Sequence, residues 1–233
     1  MYRSNDDSMT ASIPVDVPPH ARHAQHKLGR VQMACKRGFD IVAALVFFIV
    51  FGPALLAVAI GVKLSSPGPI FYSQARIGRH GRSFRFYKFR SMVTNADEVL
   101  SSFLDTDEEA KSQWDAFQKL DNDPRITPFG RFIRKTSLDE FPQLWNVLVG
   151  DMSIVGPRPC MPGQKNLYGS AWASYCAVRP GLTGLWQVSG RNKLTYAQRV
   201  QLDAKYVAEW SFWMDMKLLF KTIRVVVTGD GSR

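Results

Sequence analysis

One uninterrupted apolar run constrains this chain more than anything else in it. From Ile41 to Val62 the sequence reads IVAALVFFIVFGPALLAVAIGV, 22 residues without a charge, bounded by Asp40 and Lys63. As a helix it reaches about 33 Å, enough to cross a hydrocarbon layer roughly 30 Å thick. A buried core helix is the competing reading, although globular helices are seldom apolar on every face. Lys27, Arg30, Lys36 and Arg37 precede the run, and Lys63, Arg76, Arg79, Arg82, Arg85, Lys88 and Arg90 follow it, with no acid between residues 63 and 92. Basic flanks stay cytoplasmic, so both ends of the run prefer the same side. Gly52-Pro53 lies in the middle, and proline removes a helix hydrogen bond and kinks the backbone. Two arms of about 11 residues, each roughly 16 Å long, can then enter and leave through one face. The charges favour this re-entrant helix–break–helix. A kinked crossing helix is the alternative, since membrane helices tolerate proline.

The 233-residue chain as a whole carries enough apolar material for a core: 45% of its residues are hydrophobic, which excludes a wholly disordered protein. Net charge is +10, and the basic block points to phosphates, whether of nucleic acid, anionic lipid or a phosphorylated small molecule. Residues 97 to 123 invert the sign, with nine acids against Lys111 and Lys119. Cys35, Cys160 and Cys176 are odd in number and far apart, which supports neither a disulfide framework nor a zinc cage. Of the four histidines, His20, His23 and His26 sit in a polar stretch and only His80 lies elsewhere, so a histidine metal site is not expected.

The expected fold class is α+β and mostly helical. Residues 1–32 read as a disordered tail without a secretory signal, 33–64 as the membrane helix, 65–228 as a cytoplasmic catalytic domain and 229–233 as a C-terminal tail. After the turn cluster Ser65-Ser66-Pro67-Gly68-Pro69, alternating residues around Gly78-Arg79-His80-Gly81 predict a small basic β-hairpin. Asn95 to about Leu120 reads as an acidic exposed helix, Phe129–Lys135 and Phe141–Val149 as short helices around the site, and Gly150–Gly163 as a loop. Residues 196 to 226 read as helical. Their Tyr206, Trp210, Phe212, Trp213, Leu218, Leu219 and Phe220 suit either amphipathic interfacial helices or ordinary core packing.

Four strings can carry chemistry. Arg131, Arg134 and Lys135 lead into Ser137-Leu138-Asp139-Glu140, then Phe141-Pro142-Gln143. Ser137-x-x-Glu140 fits a capping box, although Pro142 prefers a first helical turn. The same geometry suits chemistry: carboxylates beside a helix N-terminus and cations stay ionised. An ionised Asp can attack phosphorus, and a neighbouring Glu can hold Mg²⁺. Gly156-Pro157-Arg158-Pro159 holds Arg158 on a stiff backbone suited to bidentate phosphate binding. Arg179 opens RPGLTGLWQVSGR, where Gly181, Gly184 and Gly190 either admit a ligand close to the backbone or simply turn a loop. Lys88-Phe-Arg90-Ser-Met92 sits on the basic hairpin and could equally be a solvated strand facing lipid phosphates.

Together RKTSLDEFPQLWN (134–146), GDMSIVGPRP (150–159), YKFRSM (87–92) and RPGLTGLWQVSGR (179–191) resemble the bacterial sugar transferases, the polyprenyl-phosphate hexose-1-phosphate transferases, over about residues 33–228. The chain looks most like the short members that initiate succinoglycan-type exopolysaccharides with galactose-1-phosphate, without the multi-span N-terminal half of larger ones. The resemblance implies that UDP-hexose and undecaprenyl phosphate give undecaprenyl-diphospho-hexose and UMP through a covalent aspartyl phosphosugar, with Mg²⁺ as cofactor. It puts the nucleophile on Asp139, its support on Glu140, and the metal on that pair. It implies substrate-binding roles for Lys88, Arg90, Arg134, Arg158 and Arg179. It further implies the bacterial inner membrane with catalysis on the cytoplasmic face, membrane lipids as surroundings and downstream glycosyltransferases as partners. A homo-oligomer stays open, as does glucose in place of galactose. The rival reading is a non-catalytic membrane protein whose hairpin binds anionic lipid. Nucleic acid is not expected, because no recognition motif accompanies the basic block.

Overall fold

The computed structural model describes residues 29–117 and 120–228; the expected tails, 1–28 of the first and all of 229–233, lie outside them. Helix α1 is Arg30–Ser65 and carries Pro53 inside it, so residues 30–32 belong to the helix and not to a tail. Strands β1 (Phe71–Ile77) and β2 (Ser83–Phe89) pair as a two-stranded sheet. The acidic stretch forms two helices, α2 (Ala96–Thr106) and α3 (Glu108–Phe117). Then follow α4 (Pro128–Lys135), α5 (Gln143–Val149), β3 (Ser153–Val155), α6 (Lys165–Tyr168), α7 (Trp172–Ala177), β4 (Gly181–Thr183), α8 (Leu185–Ser189), α9 (Tyr196–Glu209) and α10 (Phe212–Thr228).

Helix α1 runs through Gly52-Pro53 as one element, with Pro53 inside it. The apolar run is not a core helix. Only 11% of its most apolar 18-residue window is buried, and Val42, Ile49, Val50, Leu56 and Ile60 stand exposed. An exposed apolar surface of this length is stable in lipid and costly in water. The chain is therefore membrane-associated through α1.

The chain divides into two compact units, one of residues 29–46, 74–86 and 143–228, the other of 47–73, 87–117 and 120–142. In the first, β3 and β4 pair in parallel with Ser153 opposite Gly181 and Val155 opposite Thr183. This places a strand inside the stretch expected to be a loop. Val155, Val178, Tyr206, Val207 and Leu218 form one core here. Tyr168, Tyr175, Cys160, Ala171, Val200 and Ala204 form another. Helix α9 starts at a capping box, in which Thr195 Oγ1 accepts from Gln198 N and Gln198 Oε1 from Thr195 N. Helix α10 buries Leu218 but exposes Phe212, Trp213, Phe220 and Ile223.

The first unit also fastens the start of α1 with polar groups. Lys36 Nζ donates to Asp215 and to the Val155 carbonyl, and Asp215 also accepts from Tyr206 and Trp210. Asp40, 2% exposed, accepts from Ser153 Oγ and Ile154 N. Arg37 donates to the carbonyls of Val147 and Leu148, placing a cation at the C-terminal end of α5, where helix carbonyls lack partners. None of these pairings was expected. The available signal was a lone acid at each site, Asp40 at the edge of the apolar run and Asp215 within an aromatic one, since a buried acid needs partners.

The second unit is built on the other half of α1. Val58 and Val62 bury with Phe89 and Ile133, and Leu55, Ala59, Ile70, Phe129 and Leu138 pack against them. Phe47 stacks on Phe51 and meets the Phe141 ring at 4.8 Å between centroids. The turn of residues 138–141 therefore lies directly against α1.

Candidate active site

Helix α4 begins where the Thr127 hydroxyl accepts from Gly130 N, with Pro128 at the first helical position. It ends with Arg134 and Lys135, and Ser137 then takes a left-handed conformation (φ 58°) that turns the chain into a single 3₁₀ turn, Leu138–Glu140. The capping box expected at Ser137 and Glu140 does not form: the Ser137 side chain makes no cap hydrogen bond. A capping residue needs an extended backbone to aim its oxygen at the helix, and a left-handed residue does not. Glu140 instead accepts from Lys88 Nζ at 2.7 Å, and Asp139 accepts from the same nitrogen at 3.4 Å. The gap between Phe141 and α5 contains Pro142, which accords with the chain starting a fresh helix at Gln143.

Lys88 thus bridges two adjacent carboxylates. Asp139 is 7% exposed, while Glu140 is only half-buried. Burial pushes the Asp139 carboxyl above its ordinary value; Lys88 and, less strongly, Arg134 pull it back, while Glu140 adds to the rise. Cations were expected to govern this group. They oppose the shift but do not set it, because the site is drier than the sequence suggests. Arg134 Nε donates to Ser91 Oγ at 2.8 Å, which fixes that guanidinium beside β2. Ser91 was not among the expected site residues, and its position next to Lys-x-Arg was the available signal.

The structure brings Lys88, Arg134, Asp139 and Glu140 together in one unit. Arg90 belongs to that unit too, but it is 7% exposed and its terminal Nη2 donates to the Ser66 carbonyl. Arg158 and Arg179 belong to the other unit. Arg158 is half-buried on the turn after β3, and Arg179 Nε donates to the Gly150 carbonyl. That turn folds back on β4: Gly181 N donates to Pro157 O, and Gly156 N to Thr183 O. A Cβ on Gly181 would run into the Gly156 backbone, and one on Gly184 into the Gly156 carbonyl. The room left by these glycines is filled by the chain's own backbone, which corrects the idea that it admits a ligand. Gly190 is likewise backed by the Leu194 side chain.

Lys88 of β2 is shared by two carboxylates, one buried and one half-buried, beside an apolar helix. Residues 31–229 match the bacterial sugar transferase family. The chain belongs to that family. Among its curated relatives, the UDP-galactose-lipid carrier transferase of Erwinia amylovora is 51% identical over 84% of this chain and 41% of its own length. Undecaprenyl-phosphate galactose phosphotransferase of Salmonella typhimurium is 50% identical over 84% and 41%. The exopolysaccharide production protein ExoY of Rhizobium meliloti is 48% identical over 84% and 87%. The chain therefore spans about two-fifths of the first two relatives and most of the third. Every expected site residue falls inside the segment that matches the family.

Residues that could hold a divalent cation are few. Among the described residues there is no group of three or more His, Cys, Asp or Glu side chains placed to bind one. Mg²⁺ keeps waters and is held by one or two carboxylates together with substrate phosphates. Asp139 and Glu140 fit that pattern, with Glu140 the more accessible of the two.

Proposed function

We propose that this sugar transferase moves a hexose-1-phosphate, galactose-1-phosphate in the first instance, from UDP-hexose to undecaprenyl phosphate, the first step of an exopolysaccharide repeat. The observation that carries the reading is the Asp139–Glu140 pair gripped by Lys88 on a turn packed against the membrane helix. A carboxylate oxygen of Asp139 attacks the β-phosphorus of UDP-hexose. The bond from that phosphorus to the bridging oxygen breaks, and UMP leaves with the electron pair. The acceptor's phosphate oxygen then attacks the same phosphorus, giving undecaprenyl-diphospho-hexose and returning Asp139 as a carboxylate.

The chain's own groups suit both steps. Desolvation of Asp139 strips water from the attacking oxygen, and Lys88 orients it while offsetting the repulsion it meets at the phosphate. Mg²⁺ held by Glu140 and Asp139 would neutralise diphosphate charge. Arg134 suits a phosphate oxygen.

The membrane supplies proximity. Phe141 on Phe47, and Leu138 against the cluster that holds Val58 and Val62, support a site near headgroup depth, where a long-chain lipid phosphate reaches it without leaving the bilayer. The basic flanks of α1 support re-entry from the cytoplasmic face of the inner membrane, with α10 laying its exposed Phe212, Trp213, Phe220 and Ile223 on the interface.

The test is release of UMP from a panel of UDP-sugars by purified protein with undecaprenyl phosphate and Mg²⁺. UDP-galactose should turn over fastest; a preference for UDP-glucose would change the donor and leave the mechanism. Asp139→Asn should abolish turnover while the protein stays folded and membrane-bound. With donor alone, a quenched digest should contain hexose phosphate on the Asp139 peptide, and near-normal turnover by Asp139→Asn would end the covalent reading.

A further inference from the structure

Arg90 stands where the family resemblance implies a substrate contact, yet its surroundings describe a different job. Its side chain is buried, and its Nε and Nη1 are enclosed without hydrogen-bond partners. Among the described residues the guanidinium makes one hydrogen bond, from Nη2 to the Ser66 carbonyl at 2.6 Å. Ser66 is the first residue past α1, whose C-terminal carbonyls carry partial negative charge. Among the described residues no carboxylate pairs with Arg90. The cation is therefore spent on the end of the membrane helix.

The seat is specific. Gly68 has φ +120°, and a Cβ there would collide with Arg90 Nη1 and with the Thr94 methyl. The backbone repeats the link, since Arg90 N donates to Ile70 O at 2.9 Å. On either side of Arg90 the chain turns to the catalytic groups. Lys88, two residues earlier and near the end of β2, holds Asp139 and Glu140. Ser91 accepts from Arg134 Nε through its hydroxyl and from Thr127 N through its carbonyl. Phe89, between them, is buried with Val58, Val62 and Ile133. Residues 88–91 thus form a splice between the end of α1 and the carboxylate turn.

We infer that Arg90 is a positioning residue, which locks the end of the membrane helix to the end of β2 and so sets where Lys88 holds Asp139 and Glu140. This rests on the proposed transferase reading for its kinetic consequences, but not for its structural one. A residue acting this way changes turnover and leaves donor affinity alone, and its effect disappears once Lys88 is gone. A substrate contact does the reverse.

The experiment uses the full chain in lipid nanodiscs with UDP-galactose, undecaprenyl phosphate and Mg²⁺. Arg90→Gln should lower kcat about 10- to 100-fold, with KM for UDP-galactose within about twofold, the size expected for misplacing a reacting group. In a Lys88→Met background the same substitution should add less than about twofold. Arg90→Lys, which keeps a donor near Ser66, should show the same pattern at smaller size and serves if the Gln variant fails to fold. Hydrogen exchange gives a readout without turnover: Arg90→Gln should speed exchange in the peptide containing residues 138–141. A tenfold rise in KM with kcat unchanged, full multiplication of the two single effects in the double variant, or unaltered exchange at residues 138–141 would each overturn the inference. Absence of UMP release by the unaltered protein would strike the transferase reading instead, and the exchange comparison would still decide the role of Arg90.

Discussion

Replacing Asp203 by asparagine should change how stability depends on pH. Asp203 lies on α9, 2% exposed, in the aromatic core of the first unit. Oδ2 accepts from the Tyr168 hydroxyl at 3.0 Å, and Oδ1 has no partner. Burial pushes its carboxyl up to about 8, against a slight opposing pull from the Tyr168 hydrogen bond. In the unfolded chain the same group titrates near its ordinary value of 3.8. Between these values the folded protein binds more protons than the unfolded one, so stability falls as pH rises and levels off above about pH 8. Each pH unit in that window costs at most about 1.4 kcal/mol, so the loss between pH 5 and pH 7 reaches about 3 kcal/mol. For a chain of this size that is roughly 5–10 °C in melting temperature. The amide of Asp203→Asn does not titrate, and it sits in a site with one donor and no further acceptor. The variant should therefore be no better than the native protein at pH 5 and should gain on it steadily toward pH 7. The assay is thermal unfolding of both proteins in the same detergent across pH 5–8. Burial pushes neighbouring Tyr175 and Tyr196 up and out of this pH range, and groups elsewhere are common to both proteins and cancel. Parallel curves for the two proteins would refute the reasoning, because they would mean that Asp203 keeps its charge inside the fold.

Three further outcomes follow from the geometry. Lys88→Met keeps the length of the side chain and removes the cation shared by Asp139 and Glu140; UMP release should fall about 10²-fold with the protein still membrane-bound, and unchanged turnover would sink the claim that Lys88 orients the pair. Gly181→Ala forces a methyl into the Gly156 backbone and should destabilise the first unit by about 1–3 kcal/mol, read as a lower melting temperature; a neutral result would show that the turn at Gly156 can move away. Labels placed at residues 5 and 230 should both report the cytoplasmic side if α1 re-enters, whereas finding residue 5 outside would make it a crossing helix.

What could be read from the sequence was whatever a single stretch of chain decides. The apolar run from Ile41 to Val62, the two strands around Gly78–Gly81 and the short helix ending at Lys135 rest on local pattern, and each is present. Asp139 and Glu140 stood out by the same logic, as adjacent acids behind a basic helix. The sequence was a poorer guide where distant residues decide. Strands β3 and β4 have three residues each and lie far apart in the chain, so neither has a period to detect. Ser137 followed by Glu140 at the right spacing looked like a cap, but its left-handed backbone, a property of the packed turn, removes that option. Arg90 looked like Lys88 in composition and differs from it in burial, which no local pattern encodes.

The contacts of the carboxylate turn tie the proposed catalytic pair to the helix that carries membrane attachment. Phe141 reaches Phe47, before Gly52-Pro53, while Leu138 joins the cluster of Val58 and Val62, after it. Those two parts of α1 are about 11 residues, or roughly 16 Å, apart along the helix axis. The turn that carries Asp139 and Glu140 therefore touches α1 before its one proline and packs on a cluster that includes α1 residues after it. Proline leaves a backbone carbonyl without its helical partner and makes that point the easiest place for the helix to bend. Any bend at Pro53 changes the spacing of the two supports under the turn, and Arg90 ties the far end of the same helix to the strand that bears Lys88. On the proposed function, a substitution at Pro53, which touches no charged group, should therefore lower UMP release while the protein stays membrane-bound; unchanged release would separate the helix bend from the site.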